Sequence, residues 1–212
     1  MVGAGVLLEC LEDPRVQSVL AIGRSPTGRT HPKLREILRT DFFNYDSLRS
    51  EFASCDACFF CLGVTSVGLD EAEYTRLTYD LTTAGARAMA AVNPNMTFCY
   101  VSGVGTDSTE RGRTMWARVK GKTENAILAL PFKAAFMFRP GFIQPVKGVR
   151  SKTAWYQAAY DVLGPISPLL LRLAPNQITT TARLGRAMIR VADSGFDKRI
   201  LHPREINALA GA

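Results

Sequence analysis

Short apolar runs of strand length alternate along this chain with longer stretches whose apolar residues recur at helical spacing. That alternation is the sequence sign of a parallel sheet covered by helices on both faces. Val19-Leu20-Ala21-Ile22 reads as a short buried strand ending in Gly23-Arg24, and Ala57 to Leu62 as another that opens into Gly63-Val64-Thr65-Ser66. Thr97 to Val101 and Ala134 to Phe138 are further strands, and Asp41-Phe42 ends a very short one. The first helix carries Val2, Val6, Leu7, Cys10 and Leu11 on one face and stops near Asp13-Pro14. A brief helix is expected through Leu34 to Leu38, and another from Asp46 to Phe52 with Leu48 and Phe52 inward. A long helix from Glu71 to Val92 places Tyr74, Leu77, Leu81 and Ala88 at helical spacing, and Thr114 to Leu130 forms the next. Beyond Gly141 the pattern turns irregular, with one helix expected from Thr180 to Ala192. The expected fold class is α/β, a doubly wound parallel sheet built as one domain over 1–212, with 142–212 supplying an irregular substrate-side region.

The 212 residues suffice for one well-buried core, and 47% apolar with 21% charged residues is a globular balance. Net charge is +7, and the densest basic stretch runs from Arg111 to Lys122. A field of that sign suits a polyanionic cofactor, and no nucleic acid is expected as a partner. The N-terminus lacks a basic region followed by a long apolar core, so it does not read as a signal peptide. No apolar run reaches the roughly 18 residues a membrane span needs. The best candidate, Val162 to Ala174, is broken by Pro165, Pro168 and Arg172. A cytoplasmic location follows as the default.

Five cysteines include Cys55-x-x-Cys58-x-x-Cys61. Residues three apart on a strand point to opposite faces, so Cys58 and Cys61 cannot share a metal there. The cysteines are expected to be structural, and His31 and His202 are isolated in sequence. No metal site is expected.

Ligands of open parallel sheets bind at the carboxyl ends of the strands. Arg24 follows a strand directly, where a 2′-phosphate would lie, which favours NADP over NAD. Asp41 is placed to accept from an adenine amino group while Phe42 packs on the ring. Gly63 lets backbone approach a ribose and diphosphate. Ser102 ends a strand, and Trp116 and Lys120 stand one helical turn apart shortly after it.

These positions, in order, resemble the atypical short-chain dehydrogenase/reductases, notably the subgroup of the Tat-interacting oxidoreductase and its bacterial epimerase/dehydratase-like relatives. The resemblance runs from Met1-Val2-Gly3 to about Val191. It rests on Ala21-Ile22-Gly23-Arg24, Asp41-Phe42, Cys61-Leu62-Gly63, Val101-Ser102, Val119-Lys120-Gly121 with Glu124, and Arg139-Pro140-Gly141. It implies a nicotinamide cofactor, NADP rather than NAD. Met1, Val2, Gly3, Arg24, Asp41, Phe42, Leu62, Gly63, Val64, Lys120 and Pro140 would bind it. Ser102 would polarise a substrate carbonyl, and Lys120 would hold the nicotinamide ribose.

The chain departs from that family in two ways. Trp116 stands where the family has its proton-transferring tyrosine, and an indole N–H donates a hydrogen bond but does not titrate in water. Tyr156 or Tyr160 could replace it only from a later stretch that nothing in the sequence aims at the site. The family also opens with a strand and two glycines ahead of the residue matching Met1, so the first strand, central in the sheet, is expected to be missing through a truncated start. Its neighbours would then carry unpaired backbone groups at roughly 1–3 kcal/mol each. The sequence therefore supports two functions. One is NADP-dependent oxidation or reduction of a small carbonyl or alcohol; the other is a non-catalytic NADP-binding sensor or regulator. The substrate and the oligomeric state are not legible.

Overall fold

A computed structural model of the chain describes residues 1–148 and 177–211. Tyr156, Tyr160 and the Val162 to Ala174 segment lie outside the described residues. In chain order the elements are α1 (Val2–Glu12), β1 (Val19–Gly23), β2 (Leu34–Leu38), α2 (Arg49–Ala53), β3 (Ala57–Phe60), α3 (Glu71–Thr75), α4 (Leu81–Val92), β4 (Thr97–Val101), α5 (Met115–Leu128), β5 (Ala134–Phe138), β6 (Phe142–Gln144), β7 (Ile178–Thr180), α6 (Thr181–Ser194), β8 (Ile200–Leu201) and α7 (Pro203–Gly211). A 3₁₀ turn at Asp46–Leu48 leads into α2, and a π turn at Arg76–Asp80 joins α3 to α4.

The chain divides into two compact units. The first comprises Met1–Thr40, Pro140–Ser194 and Leu201–Ala212; the second comprises Asp41–Arg139 and Gly195–Ile200. In the first, β1 and β2 pair in parallel from Val19↔Leu34 to Gly23↔Leu38, and β6 pairs in parallel with β7. Helix α1 buries Val6, Leu7, Leu8, Cys10 and Leu11 and packs along α6. In the second, β4 lies between β3 and β5, parallel to both, and the Met137 N–H donates to the Arg199 carbonyl at 2.7 Å. β3 reaches β4 through α3 and α4, and β4 reaches β5 through α5, the βαβ arrangement that the alternating pattern requires, whereas β1 reaches its parallel neighbour β2 through a connection without helix.

The core of the second unit sits on its central strands. Phe98, Cys99, Tyr100, Phe136, Met137 and Phe138 are all at most 2% exposed. Phe60 and Phe132 stack on Phe98 at 5.8 and 5.0 Å between ring centroids. Each such ring removes enough apolar surface from water to contribute roughly 1.5–3 kcal/mol. Tyr100 carries its hydroxyl into this core, where Thr82 and Thr123 hydrogen-bond it while burial pushes its pKa upward.

Four local expectations need correction. Asp41-Phe42 ends no strand, because both residues lie in the loop between β2 and the 3₁₀ turn. Leu34–Leu38 is a strand, not a helix. Five residues are too few for a helix to stabilise itself, and the open edge of β1 supplies the backbone partners that settle the matter. The strands at Val19 and Ala57 are half-buried rather than buried, because β1 and β3 are edge strands of their sheets. In the long helical stretch the π turn inserts one extra residue and shifts the inward face. Tyr74, Thr78, Thr82, Ala86 and Met89 are buried, whereas Leu77, Leu81 and Ala88 are half-exposed.

Helix α5 lies directly on the loop that follows β4. A Cβ placed on Gly121 would stand 1.8 Å from the Asp107 carbonyl oxygen, and the Asp107 N–H donates to the Ala117 carbonyl at 3.0 Å. The contact is with backbone, which cannot swing aside as a side-chain tip could. Gly121→Ala should therefore lower stability by about 2 kcal/mol or more through overpacking. Urea unfolding of the two proteins checks this, and equal midpoints would mean that the loop is free to move off the helix.

Candidate functional site

Trp116, Lys120 and Glu124 are spaced four apart on α5 and so share one face of the helix. That face runs along the end of β4. The Ser102 hydroxyl donates to Glu124 Oε1 at 2.5 Å. Lys120 Nζ donates to the Ser102 carbonyl oxygen. The Trp116 indole rests against the loop at Gly105, where an added Cβ would lie 3.2 Å from its ring. Each side chain on the face thus meets the strand end at a different depth.

Arg139, immediately after β5, completes the arrangement. Its Nε donates to both Glu124 oxygens at 3.0 and 3.2 Å, and Nη2 donates to Oε2. The same Nη2 also donates to Ser108 Oγ at 2.5 Å. Glu124 is 0% exposed and Arg139 8%, so this is a buried, fork-like ion pair. The loop from Gly103 to Thr114 is held further by α5. Arg118 donates to the carbonyls of Gly112 and Arg113 at 2.7 and 2.9 Å, and Asn125 to that of Ser108 at 3.0 Å.

The hydroxyl of Ser102 has one proton. Two acceptors lie near it, Glu124 at 2.5 Å and the Phe138 carbonyl at 3.1 Å, and the shorter, charge-assisted contact takes the proton. Ser102, expected to polarise a substrate carbonyl, instead points inward and satisfies a buried carboxylate. Side chains alternate along extended backbone, so the opposite face belongs to the next position. That position is Gly103, at φ 154°, a conformation that side-chain-bearing residues rarely adopt.

Lys120 is where the sequence placed it, beside the strand end. Burial disfavours its charged form and lowers its pKa to about 8, with the Glu124 carboxylate pulling the other way. An ammonium has three donors, and the Ser102 carbonyl engages one of them.

The other expected positions are distributed as follows. In the second unit, Leu62 is half-buried and Gly63 and Val64 are exposed; an added Cβ at Gly63 would meet nothing within 4 Å. Asp41 is exposed and accepts the Phe43 N–H at 2.7 Å. Phe42, expected on an adenine ring, is 5% exposed and packs edge-on against Tyr45; the exposed aromatic is Phe43, at 41%. In the first unit, Met1 caps α1 and Val2 and Gly3 open its first turn. Arg24 is exposed immediately after β1, and Pro140 is buried. Among the described residues no group of His, Cys, Asp or Glu has the placement to hold a metal ion. The five cysteines are free thiols, and burial pushes the Cys58 thiol up and Cys10 to about 12.

Sequence reasoning passed over the roles of Glu124, Arg139 and Ser108. Glu124 carried a signal, because it lies one turn beyond Lys120 on a predicted helix. Ser108 carried none, since only the folded loop brings it to Arg139.

No family model matches the chain. A curated relative, protein fmp52, mitochondrial, of Emericella nidulans, is 28% identical over 150 residues, covering 68% of this chain. The chain spans 63% of that relative's length. Among solved structures, a UDP-N-acetylglucosamine 4-epimerase from Methanobrevibacter ruminantium, in complex with UDP-N-acetylmuramic acid, superposes with a TM-score of 0.67 at 15% identity, covering 94% of this chain and 71% of its own. The Bordetella bronchiseptica enzyme WbmH, in complex with NAD+, gives 0.60 at 15% identity over 91% and 68%. A UDP-glucuronic acid 4-epimerase from Bacillus cereus, in complex with NAD, gives 0.64 at 12% identity over 94% and 72%. The fold is therefore the α/β, doubly wound, Rossmann-like parallel sheet. No helix among the described residues is long and apolar enough to cross a membrane.

Two outcomes follow from the buried cluster. Arg139→Met should destabilise by about 3–5 kcal/mol, because it strands the Glu124 carboxylate, and Arg139→Met combined with Glu124→Leu should recover part of that loss. A double-mutant cycle in urea measures it, and simple additivity would contradict the coupling. Lys120 has a folded pKa near 8 against 10.5 for the free side chain, so between those values the unfolded chain binds more protons and stability should rise with pH. That rise, up to roughly 3 kcal/mol, should be absent in Lys120→Met when unfolding is compared at pH 7 and pH 10.

Proposed function

We propose that the chain binds a nicotinamide dinucleotide, NADP by preference, as a short-chain dehydrogenase/reductase-type protein, and works as a non-catalytic binding or regulatory protein rather than as an efficient oxidoreductase. One observation carries the second half: the Ser102 hydroxyl is committed to Glu124, while Gly103 and Trp116 supply no titratable group beside it. Each unit, taken by itself, holds residues of the kind the cofactor needs. Lys120 keeps donors beyond the one given to Ser102, as ribose hydroxyls require. The surface at Gly63 and Val64 is open to close approach. Val2 and Gly3, at the start of α1, offer backbone N–H groups of the kind that receive phosphate. Arg24 has no hydrogen bond or ion pair among the described residues, which leaves its guanidinium free to take a 2′-phosphate. Structural neighbours in complex with NAD or NAD+ add to this reading. The setting it assumes is the cytoplasm.

Bound there, the nicotinamide ring would supply hydride chemistry. Of this chain's own residues, Lys120 would hold the ribose and Trp116 would flank the ring, and none of those described delivers a proton as a tyrosine would. The oxidoreductase reading, with a small carbonyl or alcohol as substrate, keeps one specific support. Lys120 titrates near 8, within the range where a group can exchange protons at working pH.

Calorimetric titration with NADP and NAD tests the binding claim. NADP should bind more tightly, and Arg24→Ala should weaken NADP by about 10- to 100-fold, the worth of charge-assisted hydrogen bonds to a phosphate, with little change for NAD. Equal affinity for the two would overturn the preference. Turnover of small carbonyls with NADPH separates the two functions. It should be near background in the parent, and Trp116→Tyr should raise it toward the 10²- to 10⁴-fold that a general acid contributes. Robust turnover in the parent would instead establish the oxidoreductase.

A further inference from the structure

Of the three side chains on the α5 face that meets β4, two have an evident partner: Glu124 holds the Ser102 hydroxyl, and Lys120 holds its carbonyl. Trp116 is the third. It lies one turn from Lys120, at the end of the face nearest the loop after Ser102, and is half-buried. The Cη2–Cζ2 edge of its six-membered ring meets the loop: a Cβ added to Gly105 would fall 3.2 Å from Cη2 and 3.6 Å from Cζ2. Among the described residues no aromatic ring or cation is stacked on it, although Arg76, Lys122 and Arg199 each lie over another aromatic ring.

An indole at this point cannot move a proton, but its face carries a negative quadrupole that attracts cations more strongly than those of tyrosine or phenylalanine. A nicotinamide ring is a pyridinium cation when oxidised and a neutral dihydropyridine when reduced. The Glu124 carboxylate is not left to hold that cation in place of the indole, because Arg139 and Ser102 satisfy it. We infer that Trp116 makes the site selective for the oxidised dinucleotide, so that occupancy reports the redox state of the NADP pool. The inference rests on the NADP-binding reading above and adds to it the variable that the protein would sense.

The test is calorimetric titration of the full chain with NADP+ and with NADPH, in the parent and in Trp116→Phe, Trp116→Leu and Trp116→Met. The parent should favour NADP+ by about 3- to 30-fold, the range a partly desolvated cation–π contact supplies. Trp116→Phe should keep part of that preference. Trp116→Leu and Trp116→Met should bring the two affinities within about twofold, mainly by weakening NADP+. Leucine and methionine fill the space differently, so a folding failure of one, seen in its thermal melt, leaves the other to decide. Equal affinities in the parent would overturn the inference and leave the NADP-binding reading intact, as would an unchanged preference in the aliphatic variants. Binding of neither form would overturn both.

Discussion

A carboxylate with no solvent exposure is the constraint around which the second unit is arranged. An ionised glutamate taken out of water costs several kcal/mol unless its oxygens are matched by close, well-directed donors. Glu124 finds them on two other elements: Arg139 after β5 and the Ser102 hydroxyl after β4. Satisfying one side chain therefore fixes the rotation of α5 about its axis and its height against the sheet. Lys120 and Trp116 follow from that rotation, since they occupy the same face one and two turns earlier. Arg139 extends the same network to Ser108 and so ties down the loop that covers the helix.

This arrangement changes the meaning of a serine at a strand end. Its position marks it for catalysis, but its hydroxyl satisfies a buried acceptor, and a group can give its one proton only once. The next residue would face the other way, and there backbone conformation selects glycine. What remains at the surface of the site is a lysine with donors to spare and an indole, the pair on which the proposed dinucleotide binding rests.

Much of the fold was legible because burial and period agree. Thr97–Val101 and Ala134–Phe138 have the boundaries read from the apolar runs, since strands covered on both faces need continuous hydrophobicity. Where the expectation failed, a non-local term decided. Leu34–Leu38 is extended because β1 offers hydrogen bonds that a five-residue helix cannot match. The helical face after Tyr74 is displaced because one inserted residue at the π turn rotates everything that follows it. Phe42 and Phe43 are adjacent and chemically equivalent, so only the packing of Tyr45 decides which turns inward.

By itself the sequence determined the class of fold, the bounds of the central strands, and the placement of Trp116 and Lys120 on one helical face, because those depend on local period and on the residues' own chemistry. The tertiary structure decided which hydroxyl is free, which phenylalanine is exposed, and how far Lys120 departs from an ordinary lysine. Those depend on desolvation and on partners brought from distant parts of the chain. A hydrogen bond between residues 22 apart in sequence has no signature in the sequence of either one.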